Sequence, residues 1–339
     1  MDRYDRQRRV CQIGDSGQEK LKSSSILIVG CGALGSYAAE QLTRAGIKRL
    51  FLVDPDVVTL TNLQRQALFT EQDANNSVLK VEAAKRRLAE INAAVDVQAI
   101  PHKITAEFLK KATFNLVLDC SDNFSVRDLL NRCAIRQHFD YIFASCAGVS
   151  GNVMPISPAT HPCLECVFPR LEKLKQIDCD QIGVNTALVP LVAALQVSLA
   201  IHWLVDRATV NFNQLLVVNN WSLEADRFAV TKRSNCPACC LHQAAITSSK
   251  DEVRSLCGKN VYSACLPARI GLADLVRFLK SEKISVSLRK TFVSFEWQAT
   301  HISYFQSGKM MLYEAQSLAD ATAGYRNLCN ALRKAAIIE

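Results

Sequence analysis

The sequence predicts an α/β protein with a doubly wound, mostly parallel sheet, followed by a small α+β domain. Over the first 245 residues, short apolar runs alternate with stretches whose apolar residues recur at helical spacing. This alternation is typical of a parallel sheet with helices on both faces. After Cys240 the pattern changes to several alternating strand patterns between two helical ones, which is typical of a separate α+β domain.

The first predicted elements surround a glycine-rich turn. Residues 25–29 form an apolar run that ends at Gly30, and residues 34–45 form a helix that Gly46 closes. The next strand, residues 50–53, ends at Asp54. Further strands are predicted at residues 95–100, 116–118 and 141–144, and further helices at residues 81–91 and 126–138. This order of elements is Rossmann-like.

The C-terminal part follows a mildly polar boundary near residues 241–250. Leu272 and Leu279 belong to one set of apolar residues at helical spacing, and Leu318 and Leu332 to another. Between these sets, alternation predicts strands near residues 284–288 and 293–297, then two more on either side of a turn at residues 306–309. We therefore predict an α/β domain at residues 1–245 and an α+β domain at residues 250–339, which has the usual size of a small domain.

The composition excludes several functional classes. With 339 residues, 49% of them hydrophobic, the chain can form a large core and is not disordered. Its charged start lacks the apolar segment of a secretory signal, so its 14 cysteines are expected to be thiols, metal ligands or catalytic groups in the cytoplasm. The net charge of +8 is spread along the chain, and no basic stripe with aromatic residues indicates a nucleic-acid partner.

One stretch imitates a membrane span. Residues 181–205 carry no Asp, Glu, Lys or Arg and are long enough to cross a bilayer. The stretch also contains polar residues and a proline, among them Asn185, Pro190 and Gln196, and no second such stretch accompanies it. We therefore predict a buried helix preceded by a loop, and no membrane association.

A phosphate-binding turn is predicted at Gly30, Gly32 and Gly35, which form a GxGxxG pattern between a strand and a helix. Glycines permit the tight turn and let backbone N–H groups approach a phosphate at the helix N-terminus. Asp54, at the end of the next strand, can accept hydrogen bonds from ribose hydroxyls. Alone, this pattern fits a mononucleotide or a dinucleotide, and a nicotinamide-dependent oxidoreductase is the default interpretation.

Charged residues beyond the strands favour a nucleoside triphosphate instead. Arg65 follows the second strand, Lys80 opens a helix, and Asp122 follows the strand at residues 116–118. Two cations and a carboxylate that can hold Mg²⁺ suit phosphoryl-type displacement, which depends on positioning and charge neutralisation. Each of these residues alone would be interpreted as an ordinary surface charge. Together, however, they flank the crevice that is predicted at the ends of the strands.

Two CxxC pairs, Cys163 with Cys166 and Cys236 with Cys239, predict a structural zinc site. Each pair offers two thiolates, and together they complete a tetrahedral shell with no open position. A single pair could be a redox motif. Cys179 lies in a polar stretch and is predicted to be an exposed loop thiol; the alternative to a catalytic role is an incidental surface cysteine.

These motifs together resemble the ThiF/MoeB/HesA family, relatives of the ubiquitin-activating enzymes. The matching segments run in family order over residues 1–240: residues 3–7, the glycine turn, residues 54–56 and 62–66, Lys80, residues 119–123, both cysteine pairs and Cys179. The resemblance implies a homodimer in which Arg6 reaches the triphosphate of the neighbouring subunit. It also implies a nucleotide-binding set of Gly30, Gly32, Ala33, Gly35, Asp54, Asp56, Thr61, Asn62, Gln64, Arg65, Lys80, Asp122 and Asn123, and a catalytic set of Cys179, Arg6, Arg65, Lys80 and Asp122. Ala33 stands where many members have glycine, and we expect little consequence.

The resemblance implies a function as well. The chain is expected to use ATP, Mg²⁺ and a structural Zn²⁺ to adenylate the C-terminal glycine carboxylate of a small ubiquitin-like sulfur-carrier protein that ends in Gly-Gly. Sulfur would come from a separate desulfurase or rhodanese, and Cys179 would take the activated carrier as a thioester or join it through a persulfide. Three alternatives stay open: adenylation of a peptide or tRNA-linked group, a nicotinamide-dependent oxidoreductase, and a scaffold without activity.

Overall fold

A computed structural model of the chain describes residues 2–169, 171, 183–241, 253–255, 261–266, 270–289, 292–298, 300–305 and 308–338. The chain forms two compact units, Met1–Ser248 and Ser249–Glu339. Each unit has its own sheet and its own hydrophobic core.

The first unit is built on eight strands: β1 (Ser25–Val29), β2 (Arg49–Val53), β3 (Asp96–Ile100), β4 (Leu116–Asp119), β5 (Tyr141–Ala147), β6 (Ser150–Ile156), β7 (Gln214–Asn219) and β8 (Glu224–Ala229). They form one sheet in the order β3-β2-β1-β4-β5-β6-β7-β8. The first five strands of that order pair in parallel, and the remaining pairs are antiparallel.

The sheet is therefore mixed, whereas the sequence predicted a mostly parallel one. The difference arises at Gly148 and Val149, the only residues between β5 and β6. A two-residue link joins antiparallel strands, because a parallel pair needs a crossover of a dozen or more residues. The pattern of apolar runs did not distinguish this tight return from a crossover.

The described helices of the first unit are α1 (Asp5–Arg8), α2 (Gly14–Ser23), α3 (Ala33–Ala45), α4 (Glu71–Asn75), α5 (Lys80–Ile91), α6 (Ala106–Lys111), α7 (Phe124–Gln137), α8 (Leu164–Val167) and α9 (Leu188–Asp206). The predicted strands and helices of the glycine-turn region are confirmed, with small shifts at their ends. Helix α3 stops at Gly46 as predicted, because Gly46 adopts the left-handed conformation with φ +82°.

Both faces of this sheet are covered. Ile26 and Ile28 of β1 face a core shared with α3, α5 and α9, whereas Leu27 and Val29 face a second core shared with α7. Successive side chains of a strand point to opposite faces, so β1 must be apolar on both. Strand order reverses at β1, and in such sheets ligands bind outside the carboxyl ends of the strands at this reversal.

Helix α9 corresponds to the long apolar stretch. Leu188–Thr209 is long and apolar enough to span a membrane by composition, which alone is weak evidence because the core helix of a soluble protein passes the same test. One face, including Val192 and Ala193, is buried in the first unit, while Leu191 on another face is 41% exposed. The predicted burial is thus observed on one face of the helix.

The second unit contains strands β9 (Val253–Ser255), β10 (Val261–Cys265), β11 (Val286–Leu288), β12 (Phe292–Trp297), β13 (Thr300–Phe305) and β14 (Lys309–Tyr313), with helices α10 (Leu272–Ser281) and α11 (Leu318–Lys334). The strands form an antiparallel sheet in the order β11-β12-β13-β14-β10-β9. Phe295, Tyr304 and Leu312 on one face of the sheet share a core with both helices. Residues 306 and 307 of the predicted turn lie outside the described residues.

Candidate nucleotide site and metal centre

The glycine turn between β1 and α3 has the geometry of a phosphate cradle. Gly30 has φ +91°, and a Cβ there would lie 2.7 Å from the carbonyl oxygen of Cys120. A Cβ on Gly35 would overlap the Gly30 carbonyl oxygen. A Cβ on Gly32, by contrast, would meet only the Gln66 amide nitrogen, at 3.5 Å. Two glycines are therefore required by the turn itself, and the third leaves space that a ligand can enter.

The first turn of α3 is available to an anion. Its N-cap is Gly32, and no side chain caps the helix. The backbone N–H groups of an uncapped helix N-terminus need acceptors, and the helix dipole favours a negatively charged one. Ala33, the first helical residue, is compatible with this arrangement because it is small. The predicted turn can therefore hold a phosphate group.

Asp54 stabilises the glycine turn through hydrogen bonds from backbone N–H groups. One carboxylate oxygen accepts a hydrogen bond from the Cys31 backbone N–H at 2.8 Å, and the other accepts one from the Asp56 N–H at 2.9 Å. Asp54 is only 6% exposed, and this burial raises its pKa to about 6, although the positive charge of Lys80 lowers it. The sequence predicted that Asp54 accepts hydrogen bonds from ribose hydroxyls. The hydrogen bonds observed at Asp54 come from backbone N–H groups. Each carboxylate oxygen has a further lone pair that could accept a bond from a ribose.

Lys80 lies at the start of α5 and points toward the two acidic residues. Its Nζ is 3.0 Å from the Asp56 carboxylate and 4.0 Å from that of Asp54. Burial disfavours the charged ammonium, but the charges of Asp54 and Asp56 outweigh it and raise the pKa of Lys80. The charge of Asp122 acts in the same direction. Lys80 is therefore a permanent, buried cation beside the predicted phosphate site.

The segment that carries Thr61, Asn62, Gln64 and Arg65 begins with a short 3-10 helix, Leu60–Asn62. The Asn62 side chain accepts a hydrogen bond from the Thr59 N–H and so closes a capping box. Arg65 donates to the Thr61 carbonyl oxygen at 3.0 Å and stays partly exposed. Its guanidinium has further donors for a phosphate.

Asp122 is exposed on the turn between β4 and α7. Its neighbour Asn123 caps α7 by accepting from the Val126 N–H and also donates to the Asp122 carboxylate. A carboxylate and an amide oxygen are ligands that Mg²⁺ accepts. The chemistry of these two side chains fits a magnesium ion bound together with substrate phosphates.

A buried polar cluster supports this turn, and the sequence did not predict it. Fully buried Asp119 accepts from the Ser121 backbone and hydroxyl. Arg127 donates to the Ser121 carbonyl oxygen and lies over the rings of Phe124 and Phe143. Gln196 of α9 donates to two carbonyl oxygens: that of Asp119, which ends β4, and that of Ile142, which lies in β5. The backbone that presents Asp122 is thus held from two helices.

Gln66 is a second residue that the sequence analysis did not place in the site. It is 5% exposed, its amide lies beside Gly32, and its side-chain oxygen has no hydrogen-bond partner among the described residues. A buried amide oxygen without a partner is costly in the free protein and suits a site that a polar ligand completes. The sequence feature that could have placed Gln66 in the site is its position directly after Arg65.

Arg6 does not lie at the glycine turn of its own subunit. It is exposed in α1, and the adjacent Gln7 donates to the carbonyl oxygen of Ala45 at the far end of α3. The 13 residues of α3 separate that end from the turn by about 20 Å. Among the described residues, Arg6 has no ion pair. It is therefore free to contact something other than its own nucleotide turn.

The four predicted zinc ligands converge. Cys163, Cys166, Cys236 and Cys239 are buried, and their sulfur atoms all lie within 4.8 Å of one another. Adjacent sulfurs are separated by 3.6 to 3.9 Å. Four thiolates around zinc at about 2.3 Å would be about 3.8 Å apart. The four-cysteine cluster is confirmed, and its donor set and spacing fit a tetrahedral zinc ion.

One thiol of the cluster, that of Cys166, is already biased toward ligation. A hydrogen bond from the Cys163 thiol lowers the pKa of Cys166 to about 4. The backbone N–H of Arg233 also donates to the Cys166 sulfur, at 3.5 Å. Hydrogen bonds of this kind orient a ligating sulfur and stabilise its negative charge. A bound metal ion would compensate the mutual repulsion of the four clustered thiolates.

Cys179 lies outside the described residues. The described chain on either side is anchored: Leu171 is buried, and Gly183 accepts from the Gly148 N–H at the end of β5. Thr186 then donates to the Gln64 side chain near the nucleotide site. The described chain thus resumes, at Gly183, at the carboxyl edge of the sheet.

Comparison with known proteins identifies the family. The chain matches the ThiF family over residues 4–238. It is 30% identical over 331 residues to the sulfur carrier protein ThiS adenylyltransferase of Bacillus subtilis strain 168, covering 95% of this chain and 98% of that protein. The protein of the same name from Escherichia coli K12 is 33% identical over 240 residues, 70% of this chain and 94% of the relative. This chain belongs to the ThiF family.

Solved structures share the fold of this ThiF-family chain. E. coli MccB crystallised with succinimide has a TM-score of 0.61 at 22% identity, covering 70% of this chain and 74% of that one. PaaA has a TM-score of 0.57 at 18% identity, covering 68% and 73%. At these identities the likeness shows the fold alone. The family predicted from the motifs is confirmed, and the Bacillus relative extends the similarity into the second unit.

Proposed function

We propose that this ThiF-family chain uses MgATP to adenylate the C-terminal glycine carboxylate of a small ubiquitin-like sulfur-carrier protein. The observation that carries the proposal is the grouping of an open glycine cradle with Arg65, Lys80 and Asp122 at one edge of the sheet. The names of the two relatives, both sulfur-carrier adenylyltransferases, support the acceptor.

Adenylation depends mainly on neutralising the charge of the triphosphate and requires little covalent catalysis by the protein. A carrier carboxylate oxygen attacks the α-phosphorus of ATP, a P–O bond forms, and the bond to the β-phosphate oxygen breaks to release pyrophosphate. Lys80 and Arg65 would stabilise the charge that moves onto the leaving phosphates. Asp122 and Asn123 would hold Mg²⁺, which supplies further neutralisation of the triphosphate. The acyl-adenylate is then open to a sulfur nucleophile.

The same residues disfavour the nicotinamide-dependent alternative. An oxidoreductase needs the glycine turn and Asp54 but gives no role to Lys80 and Asp122. The charge of Asp122 adds a little to the raised pKa of Lys80, after the larger effects of Asp54 and Asp56, so the two side chains are near enough to interact. A triphosphate with a magnesium ion uses both. Titration with ATP and with NAD separates the alternatives, because we expect binding of ATP in preference to NAD.

An exposed apolar hairpin supports a protein acceptor. The turn between β7 and β8 presents Trp221 at 78% exposure and Leu223 at 87%. Because Asn219 pairs with Ser150, this turn lies at the same edge of the sheet as the end of β5. Three strand spacings, about 14 Å, separate β7 from β4, and four or five extended residues cover that distance. A carrier body on the hairpin could therefore deliver its tail to Asp122.

We propose a homodimer as the active unit, because Arg6 lies about 20 Å from its own turn and is exposed. In the dimer it would contact the triphosphate of the neighbouring subunit. Cys179 would accept the activated carrier, and a separate desulfurase or rhodanese would supply sulfur. We also propose that the chain works in the cytoplasm, because the described cysteines form no disulfide bond with one another.

Pyrophosphate exchange tests the proposal. Radiolabelled pyrophosphate should enter ATP only when Mg²⁺ and a carrier with a free C-terminal glycine are both present. Asp122→Ala should abolish exchange, and a carrier lacking its last glycine is the matched control. Exchange with a peptide or a tRNA-linked acceptor but with none of a panel of Gly-Gly carriers would contradict the proposed acceptor.

A further inference from the structure

A fifth cysteine lies at the edge of the four-cysteine cluster. The Cys240 sulfur is 3.7 Å from the Cys239 sulfur, which equals the spacing of adjacent sulfurs within the cluster. Cys240 is partly exposed, whereas the four predicted ligands are buried. Its sulfur donates a hydrogen bond to the Arg233 carbonyl oxygen at 3.1 Å, which holds the side chain beside the site.

The local backbone also suits ligation by Cys240. Its N–H donates to the Cys236 carbonyl oxygen at 3.1 Å, and the Leu241 N–H donates to the same oxygen. Cys236 and Cys240 therefore share one tight turn. Their separation by three residues falls within the two to four residues typical of paired zinc ligands. Either Cys239 or Cys240 could thus complete a pair with Cys236.

We propose that Cys240 is a reserve zinc ligand that replaces Cys239 when the Cys239 sulfur is lost or modified. The inference rests on the zinc site argued above. In the exchange, the Cys240 thiol releases its proton to water and forms a sulfur–zinc bond, while the bond to position 239 breaks. Zinc keeps four ligands, and no electron is transferred. The hydrogen bond to Arg233 is given up, and a thiol is only a weak donor.

Cys163 has no such substitute among the described residues. Cys163 is fully buried, and its sulfur neighbours are Cys166 and Cys236, which are themselves ligands. Removing Cys163 therefore leaves three thiolates. Cys163→Ser is the matched control for Cys239→Ser, because both remove one buried sulfur from the same cluster.

Zinc content of the full chain tests the proposal. The wild type, Cys240→Ser and Cys239→Ser should each retain one zinc per chain after dialysis against a weak chelator. Cys163→Ser and the double variant Cys239→Ser/Cys240→Ser should bind zinc at least about 100-fold more weakly, since even loss of an outer partner costs about 10–100-fold. Equal zinc loss from Cys239→Ser and the double variant would overturn the proposal.

Alkylation gives a readout that does not depend on affinity. In the zinc-loaded wild type, Cys240 should react with a maleimide, as a partly exposed thiol does. In zinc-loaded Cys239→Ser it should be protected, and a strong chelator should restore its reactivity. Labelling of Cys240 at the wild-type rate in zinc-loaded Cys239→Ser would refute ligation by Cys240. A wild type without zinc would instead overturn the metal site itself, while leaving the adenylation chemistry untouched.

Discussion

Asp54→Asn tests the electrostatics beneath the nucleotide turn. Burial raises the pKa of Asp54 in the folded chain to about 6, against an ordinary value of 3.8. Because the folded pKa is the higher one, the folded chain binds this proton more tightly than the unfolded chain does. The contribution of Asp54 to the free energy of unfolding is therefore greatest below about pH 4 and falls as the pH rises to about 6.

The size of the effect follows from the two pKa values. Their difference of about two corresponds to ~3 kcal/mol of stability lost between about pH 4 and pH 7. An asparagine does not titrate, so the variant lacks this loss. It does turn an amide N–H toward one of the two backbone donors, Cys31 or Asp56, which costs about 1–3 kcal/mol at every pH. The variant should be less stable than the wild type near pH 4, and this deficit should shrink by ~3 kcal/mol toward pH 7.

Denaturant unfolding at about pH 4 and about pH 7 measures this difference. Asp122→Asn is the control for the loss of a carboxylate, because Asp122 lies at the same edge of the sheet but is exposed. A difference between Asp54→Asn and the wild type that stays constant across this range would refute the electrostatic account of Asp54.

Further predictions concern the turn, the dimer and the loop thiol. Gly32→Ala should fold but lose at least about tenfold in ATP affinity as its methyl group fills the cradle, whereas Gly35→Ala should melt several degrees lower; titration and melting curves would show the reverse if the glycine roles are wrong. Arg6→Ala and Asp122→Ala should each abolish exchange, and an equal mixture should recover about a quarter of wild-type activity through mixed dimers; confirmed mixed dimers without activity would exclude a shared site. Cys179→Ala should keep exchange within about twofold but slow sulfur transfer at least tenfold; equal transfer rates would make Cys179 an incidental thiol.

The parts of the site that the sequence predicted are local in the chain. A glycine turn directly after an apolar run must start a helix at Gly32, and Asp54 ends the next run. The two cysteine pairs are 73 residues apart in the chain. They could still be assigned to one site, because four thiolates together form a tetrahedral zinc shell. These inferences needed residue type and spacing, and no knowledge of packing.

The parts that were missed depend on long-range packing. Gln196 lies in an apolar helix, and its type and spacing did not indicate that it bonds to β4 and β5, which lie 77 and 54 residues earlier. Arg127 lies in the helix predicted at residues 126–138, and nothing in its type or spacing indicated that it is buried against two aromatic rings. Strand β8 was missed because it is exposed along its whole length and carries no apolar pattern. The antiparallel return from β5 to β6 was missed because apolar runs do not distinguish a two-residue link from a crossover.

Intact-mass analysis of the carrier tests the central claim most directly. A Gly-Gly carrier incubated with the full chain, ATP, Mg²⁺ and a pyrophosphatase should gain the mass of one adenylyl group. Hydroxylamine should then remove that group and leave a hydroxamate on the terminal glycine, as expected for an acyl-adenylate. A carrier that stays unmodified while the chain binds MgATP and the carrier together would contradict the proposed adenylation.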